Sequence, residues 1–315
     1  MIKEILLIVL GFVFLIKGAD LLVDGASSVA KRLRIPEIVI GLTIVSIGTS
    51  MPELFVSTTS ALQGSADMSI GNIIGSNICN LLLILGLSAV ISPVKFQKAT
   101  RNIEIPMCFL ITAIFMLLAN VRTNISFADS LILLVLFAGF IMYTLYVAKK
   151  GLTEEPAEEE DTQKKSSLLK DILLIAIGII ALKVGGDFTV NNAVIVAETL
   201  GISEKVIGLT ILAIGTSLPE LVTSVMAAAR GNDDIAIGNI IGSNIFNMLM
   251  IIGVTAFITP LHYNVSYNIQ LIILLFALIL LEVFAFKKPK DQMTRCNGAI
   301  YVALYVLYLA MLFVV

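Results

Sequence analysis

Apolar residues fill most of the chain in long runs, and short polar segments separate these runs. A run of about 20 apolar residues is long enough to cross the hydrocarbon core of a bilayer as a helix. The composition, with 58% hydrophobic and 14% charged residues, also differs from that of soluble globular domains, in which about 25% of residues are charged. The pattern predicts an all-α membrane protein with ten transmembrane helices, at approximately 3–28, 36–62, 68–92, 103–120, 127–148, 168–196, 203–229, 234–259, 265–286 and 297–315.

Two polar motifs within these runs each occur twice, at an offset of 167 residues. GLTIVSIGTSMPE, which begins at Gly41, returns from Gly208 as GLTILAIGTSLPE, and GNIIGSNICN from Gly71 returns from Gly238 as GNIIGSNIFN. Between positions 41 and 93, 31 of 53 residues are identical to their partners in the second copy. Such self-similarity is typical of a chain built from two copies of one unit. We expect a first five-helix repeat at 1–148, an acidic linker at 149–167 and a second five-helix repeat at 168–315.

An odd number of helices in each repeat means that the second repeat enters the membrane in the opposite sense to the first. Inverted repeats of this kind are common in secondary transporters. If the N-terminus lies outside the cell, sixteen Lys and Arg residues fall in inside loops, and only Lys3, Arg122 and Lys205 lie outside. The positive-inside rule therefore favours a multi-pass protein of the cell membrane with its N-terminus outside and the linker inside.

The net charge of −2 argues against a nucleic-acid partner, because no basic face is available to neutralise phosphates. We expect the lipid bilayer and small ions to be the partners, with no resident cofactor and no obligatory protein partner. The linker carries Glu154, Glu155, Glu158, Glu159, Glu160 and Asp161. Such a segment is either a solvated connection or a regulatory strip that binds cations.

The repeated motif in the second predicted span contains a proline, Pro52, that cannot donate a backbone hydrogen bond. The helix should therefore break near residues 48–50, and the carbonyls that the break frees can bind cations where they line a cavity. Thr49 and Ser50 add hydroxyl oxygens, and Glu53 adds a carboxylate. The second copy supplies the matching residues Thr216, Ser217 and Glu220.

Polar residues of the third predicted span, Ser76, Asn77 and Asn80, recur in the eighth as Ser243, Asn244 and Asn247. Ser76 and Asn80 share one helix face. All of these candidate ligands are hard oxygen donors, which favours Ca²⁺ or Na⁺ over Zn²⁺ or Cu⁺.

Helix packing is the alternative explanation for polar residues inside a membrane, and it stays open for Asn77 and Asn244 and is favoured for Asn72 and Asn239. It does not explain Glu53 and Glu220. An unpaired carboxylate in hydrocarbon costs several kcal/mol, and no basic residue lies at a matching depth in the second, third, seventh or eighth spans.

The paired Gly-Thr-Ser-x-Pro-Glu and Gly-Ser-Asn-Ile-x-Asn motifs resemble the two α-repeats of the cation/Ca²⁺ exchanger superfamily, in particular those of prokaryotic Na⁺/Ca²⁺ exchangers. The resemblance covers nearly the whole chain. It implies four ion sites in a diamond, one for Ca²⁺ and the others suited to Na⁺, with Glu53 and Glu220 bridging Ca²⁺ and binding Na⁺ when Ca²⁺ is absent. The other ligands that it implies are oxygens of Thr49, Thr216, Ser50 and Ser217, the carbonyls of Ser46 and Ala213, the hydroxyls of Ser76 and Ser243, and the amide of Asn80.

The chain departs from the family pattern at Asn247. Structurally characterised relatives and the K⁺-dependent branch carry Asp at this place in the second repeat. A neutral amide adds no charge, so we do not expect K⁺ to be co-transported.

Glycines of the first span, Gly11, Gly18 and Gly25, recur every seven residues, and Gly178 and Gly185 repeat the first two in the sixth span. They indicate either a close-packing seam or, as the family resemblance implies, a pair of long helices that slide to switch access. Lys17 with Asp20, and Lys183 with Asp187, have the spacing of local ion pairs.

The sequence thus predicts an antiporter that exchanges Na⁺ for Ca²⁺ by alternating access, is electrogenic and is not an enzyme. A Ca²⁺/H⁺ exchanger and a K⁺-dependent Na⁺/Ca²⁺ exchanger on the same scaffold remain alternatives. An intramembrane protease with paired acids is the alternative from another class, but the Gly-x-Gly-Asp motif that such enzymes share is absent from the sequence.

Overall fold

The computed structural model describes residues 2–151, 167–201 and 213–314, and these are helical almost throughout. Most of the predicted linker at 149–167 and the first part of the predicted seventh span lie outside the described residues. The helices are α1 (Ile2–Leu33), α2 (Glu37–Thr49), α3 (Met51–Leu62), α4 (Ala66–Ile91), α5 (Thr100–Arg122), α6 (Phe127–Gly151), α7 (Leu168–Thr199), α8 (Leu218–Ala229), α9 (Asp233–Ile258), α10 (Asn268–Phe286) and α11 (Arg295–Val314).

Seven helices within these ranges, α1, α4, α5, α6, α9, α10 and α11, are long and apolar enough to cross a membrane, and the bent pair of α2 and α3 is an eighth candidate. The chain is therefore an all-helical, multi-pass membrane protein. Helix α7, with 32 residues, contains the predicted sixth span, and α8 forms the last part of the predicted seventh. The total of ten spans stays a prediction.

Equivalent helices of the two halves end for the same local reason. Helix α4 ends at Ile91 and α9 at Ile258, two residues before Pro93 and Pro260 respectively. The residue before a proline is driven out of the helical region, and Ser92 (φ −140°, ψ 127°) and Thr259 (φ −147°, ψ 128°) are indeed extended.

Two short antiparallel strand pairs join the segments between helices. Strand β1 (Val94–Lys95) pairs with β4 (Gln292–Met293), and β2 (Asn124–Ile125) pairs with β3 (Leu261–His262). The α4–α5 connection therefore lies beside the α10–α11 connection, and the α5–α6 connection lies beside the α9–α10 connection.

Helices α1 and α7 pack backbone to backbone along the predicted glycine seam. A Cβ atom on Gly18 would lie 2.8 Å from the Leu182 nitrogen and 2.9 Å from the Gly178 carbonyl oxygen, and one on Gly178 would lie 2.8 Å from the Gly18 carbonyl oxygen. No side chain fits in such a gap, so the close-packing interpretation of these glycines is confirmed. Sliding of the two helices stays a prediction.

Ion pairs form on both long helices, α1 and α7. The predicted local pairs are present, with 3.7 Å between Lys17 Nζ and Asp20 Oδ2 and 2.7 Å between Lys183 Nζ and Asp187 Oδ2. Arg230, which follows α8, adds a pairing that the sequence did not predict. Its guanidinium donates to Asp20 and, at 2.7 Å, to Asp24 Oδ1, and it thereby ties the end of α8 to α1.

Neighbouring glycines on α7 offer a matched test of the seam. A Cβ on Gly185 would lie 2.7 Å from the Gly11 carbonyl oxygen, whereas one on Gly186 would meet no atom of the described residues within 4 Å. We expect Gly185→Ala to lower the free energy of unfolding by about 1–3 kcal/mol through overpacking. Gly186→Ala should leave it unchanged or raise it slightly, because Ala favours helix. Thermal unfolding in detergent would measure both, and equal effects would contradict the seam.

Candidate cation-binding site

The predicted helix break is present at Ser50, where α2 ends and α3 begins with a bend of 47°. Ser50 itself is not helical (φ −85°, ψ 8°), and Pro52 is the second residue of α3. The second half repeats this geometry, with Ser217 at φ −87° and ψ 8° and Pro219 as the second residue of α8. Since proline suits the first turn of a helix but cannot continue one, each repeat restarts its helix at the same place.

The acids Glu53 and Glu220 lie in the first turns of α3 and α8, and each is only 1% exposed. A helix N-terminus favours a negative charge, because its backbone N–H groups point toward it. Each acid also accepts a hydrogen bond from the other half. The Ser50 hydroxyl donates to Glu220 Oε1 at 2.8 Å, and the Ser217 hydroxyl donates to Glu53 Oε1 at 3.4 Å.

Serine 76 of α4 joins the same group, because its hydroxyl donates to Glu53 Oε1 at 3.4 Å. The structure therefore brings together residues that are predicted from both motifs of the first half and from the first motif of the second. Of the ion pairs formed by the described residues, none involves Glu53 or Glu220.

Half of the predicted ligands carry a buried oxygen that has no hydrogen-bond partner within the described part of the chain. These atoms are Oε2 of Glu53 and of Glu220, Oδ1 of Asn80 and of Asn247, Oγ1 of Thr216 and Oγ of Ser243. Buried polar atoms without partners are costly, and carboxylates especially so. Oxygen atoms of these kinds are the ligands that Ca²⁺ and other hard cations take in proteins.

The remaining predicted ligands have other partners for their side chains or are predicted to bind through their backbone carbonyls. The Thr49 hydroxyl donates to Asn239 Oδ1 at 3.1 Å, and the Ser46 hydroxyl donates to the Leu42 carbonyl at 2.9 Å. The Ser46 carbonyl accepts the Ser50 N–H at 3.0 Å, which leaves its second lone pair available. Ala213 begins the helical turn Ala213–Gly215 that precedes the second break.

The two asparagines for which the sequence favoured a packing role, Asn72 and Asn239, have different surroundings. Asn239 is fully buried, accepts from Thr49 and donates to the Ser224 hydroxyl at 2.9 Å. Its repeat partner Asn72 is half-buried and donates to the Ser57 hydroxyl at 3.0 Å. Asn72 joins two helices of its own half, α3 and α4, whereas Asn239 also holds a predicted ligand of the other half.

The residues whose role the sequence left open, Asn77 and Asn244, bond to each other across the two halves. Each side-chain nitrogen donates to the other residue's backbone carbonyl, at 3.1 Å and 3.3 Å respectively. The 167-residue offset identified these two residues as equivalents. It gave no signal that they meet.

A cavity of about 990 Å³ leads to the break. Its lining includes Pro52, Asn72, Thr216, Pro219 and Tyr267. On this side Gly71, Asn72 and Gly75 of α4 are half-buried, whereas the equivalent residues of α9, Gly238, Asn239 and Gly242, are buried. A Cβ on Gly242 would lie 2.7 Å from the Leu42 carbonyl oxygen, so α9 closes directly onto α2. Of the two equivalent faces, one is open to a cavity and one is sealed.

Comparison with known proteins gives consistent matches. The family model described as sodium/calcium exchanger protein matches residues 3–146 and 170–314. The chain is 32% identical to sodium/calcium exchanger MaX1 of Methanosarcina acetivorans over 98% of both chains, and 34% identical to inner membrane protein YrbG of Escherichia coli over 98% of this chain and 96% of the relative. A solved structure of the sodium-calcium exchanger NCX_Mj superposes with a TM-score of 0.85 at 34% identity and covers 98% of each chain.

The different roles of Asn239 and Asn72 can be tested at matched positions. Asn239→Leu removes two buried hydrogen bonds and leaves the Thr49 and Ser224 hydroxyls without this partner, which should lower the free energy of unfolding by about 1–3 kcal/mol. Asn72→Leu, at a wall of the cavity, should have less than half of this effect. Thermal unfolding of both variants in detergent would show the difference, and an equal loss would contradict the assigned role of Asn239.

Proposed function

The chain belongs to the sodium/calcium exchanger family, and we propose that it is a secondary active antiporter that exchanges Na⁺ for Ca²⁺ across the cell membrane by alternating access. The observation that carries the proposal is the pair of buried acids on broken helices, surrounded by oxygen atoms that lack partners in the described chain. Members of the family are transporters rather than enzymes.

We infer ten transmembrane helices in two inverted repeats, 1–148 and 168–315, with the N-terminus outside and the linker inside. The strand pairs support this topology. If every predicted span crosses the membrane, the connections joined by β1 and β4 both lie inside, and those joined by β2 and β3 both lie outside. The distribution of Lys and Arg gives the absolute orientation.

In this proposal Glu53 and Glu220 bridge Ca²⁺, or bind Na⁺ in its absence. Oxygens of neutral residues complete the sites: Thr49, Thr216, Ser50, Ser217, Ser76, Ser243, Asn80, Asn247 and the carbonyls of Ser46 and Ala213. Two ionised carboxylates balance one Ca²⁺ or two Na⁺. A third Na⁺ would leave the loaded site positive, so exchange that carries three Na⁺ would respond to membrane voltage.

The cavity opens at the ends of α3, α4 and α10 that the proposed topology assigns to the outside. This arrangement corresponds to the outward-facing state, in which the packing of α9 on α2 closes the inner route. Movement of the α1–α7 pair across the core would open the inner route and close the outer one.

The driving ion decides between Na⁺ and the proton alternative. Proteoliposomes that contain the purified chain should take up Ca²⁺ when Na⁺ is loaded inside and absent outside, because Na⁺ leaving through the same oxygen ligands drives Ca²⁺ entry. A pH gradient alone should give little uptake. Glu53→Gln and Glu220→Gln should abolish Na⁺-driven uptake while the chain stays folded, and they serve as the controls for leak. Equal uptake with a pH gradient alone would favour a Ca²⁺/H⁺ exchanger, and retained exchange in either Gln variant would refute the site.

Asn247 provides a test of ion selectivity. The parent should be indifferent to K⁺ on either side, because neither Asn247 nor its partner Asn80 can balance an extra monovalent cation. Asn247→Asp adds a third carboxyl near Glu53 and Glu220, and like-charge repulsion favours the uptake of a proton or another cation. Na⁺-driven Ca²⁺ flux in this variant should therefore show stronger inhibition at low pH or a new dependence on K⁺. A parent that already requires K⁺ would show that the amide does not set ion choice.

A further inference from the structure

Four asparagine side chains meet where α4 and α9 face each other. Asn77 and Asn80 belong to α4, Asn244 and Asn247 belong to α9, and each is at most 1% exposed. Among the described residues, the hydrogen bonds of the four amides all run between the two halves. The arrangement has two-fold symmetry, because each hydrogen bond is repeated by the equivalent residues 167 positions away.

Backbone carbonyls fix the orientation of two of these amides. The side-chain nitrogen of Asn77 donates to the carbonyl of Asn244 at 3.1 Å, and that of Asn244 donates to the carbonyl of Asn77 at 3.3 Å. The two ends of an asparagine amide have nearly the same shape, so partners decide which end is which. A carbonyl only accepts hydrogen bonds, and therefore the nitrogen end of each of these amides must face it.

The first two amides then fix the other two. With their nitrogens on the carbonyls, Asn77 and Asn244 present their Oδ1 atoms on the opposite side, where only a donor is a suitable partner. Asn247 donates its Nδ2 to Asn77 Oδ1 at 2.8 Å, and Asn80 donates its Nδ2 to Asn244 Oδ1 at 3.0 Å. Each backbone carbonyl thus fixes the orientation of one asparagine amide directly and of a second amide through the first.

The oxygen ends of Asn80 and Asn247 are left without a partner among the described residues. Asn80 lies one turn beyond Ser76 on the same face of α4, and the Ser76 hydroxyl donates to Glu53. Asn247 has the same relation to Ser243. An amide oxygen is a good ligand for a hard cation. An amide nitrogen is not, because its two partly positive hydrogens repel a cation.

We propose that Asn77 and Asn244 are positioning residues, which hold the amides of Asn247 and Asn80 with their oxygens toward the transported cation. The inference rests on the proposed function, because it takes Asn80 and Asn247 to be ligands of that cation. Each half also has a π-helical segment that includes one of the four asparagines, Cys79–Leu85 with Asn80 and Asn247–Ile251 with Asn247. Such segments within α-helices are frequent at functional sites.

Simple helix association is the alternative, since asparagines often join helices in membranes. The two roles differ in one chemical requirement. A carboxylate accepts through both of its oxygens and needs no partner to turn the correct end toward a cation. Asn77 Oδ1 positions an amide at 247 by accepting its hydrogen, but it offers no hydrogen bond to a carboxylate there. Removal of Asn77 should therefore weaken cation binding with an amide at 247 and should not weaken it with a carboxylate, whereas helix association by Asn77 would matter equally in both cases.

The experiment compares Asn77→Ala, Asn247→Asp and the double variant with the parent. The measurements are the Ca²⁺ concentration for half-maximal Na⁺-driven uptake, the maximal rate, and the rise in unfolding temperature that Ca²⁺ causes in detergent. We expect Asn77→Ala to raise the half-maximal Ca²⁺ concentration by roughly tenfold, about the effect of one net hydrogen bond. In the Asn247→Asp background the same substitution should raise it by no more than about threefold, because Asn77 Oδ1 gives a carboxylate no hydrogen bond that could be lost.

An equal loss of affinity in both backgrounds would overturn the proposal, as would an Asn77→Ala variant with unchanged affinity and only a lower unfolding temperature. If the Asn247→Asp background no longer transports Ca²⁺, the unfolding measurement still reports binding. The equivalent series with Asn244→Ala and Asn80→Asp repeats the test in the other half. Failure of the proposed function would differ, because the parent itself would then lack Na⁺-driven Ca²⁺ uptake.

Discussion

Two buried carboxylates that form no ion pair with any described residue set the conditions for the rest of the structure. Among the described residues, Glu53 and Glu220 have only hydroxyl donors and the N-terminal turns of their own helices around them. Neither kind of group neutralises a full charge, so the acids need a cation or a proton. The breaks at Ser50 and Ser217 place each acid in the first turn of a new helix, where the backbone N–H groups favour a negative charge.

Hydrogen bonds that run from each half of the chain to the other are the second general feature. Ser50 bonds the acid of the second half and Ser217 bonds that of the first, and Asn77 and Asn244 exchange hydrogen bonds. Reciprocal contacts of this kind are typical of a two-fold interface between identical subunits. Here one chain supplies both sides, so substitution in one copy leaves the other copy intact, and the two copies can come to differ at single positions such as Ser46 and Ala213.

Local chemistry made part of this arrangement predictable from the sequence. Pro52 predicted the break, the apolar runs predicted the long helices, and the glycine spacing predicted the α1–α7 seam. Contacts between distant positions were not predictable. Nothing in the local pattern specifies that Thr49 bonds Asn239, that Arg230 bonds Asp20, or that the side chain of Asn77 takes its orientation from a carbonyl of the other half. These partners are 167 to 210 positions apart, and only the packing of helices decides which polar groups meet.

The two halves are alike in backbone but not in charge. Arg230 at the end of α8 binds Asp20 and Asp24 of α1, whereas the equivalent positions of the other half carry Gln63, Asp187 and Asn191. If the halves exchanged conformations, the neutral amide of Gln63 would face Asp187 and Asn191. It would replace the charged guanidinium that Arg230 offers to Asp20 and Asp24. The two arrangements would therefore differ in free energy even before an ion binds, and the arrangement with the Arg230 ion pairs would be favoured.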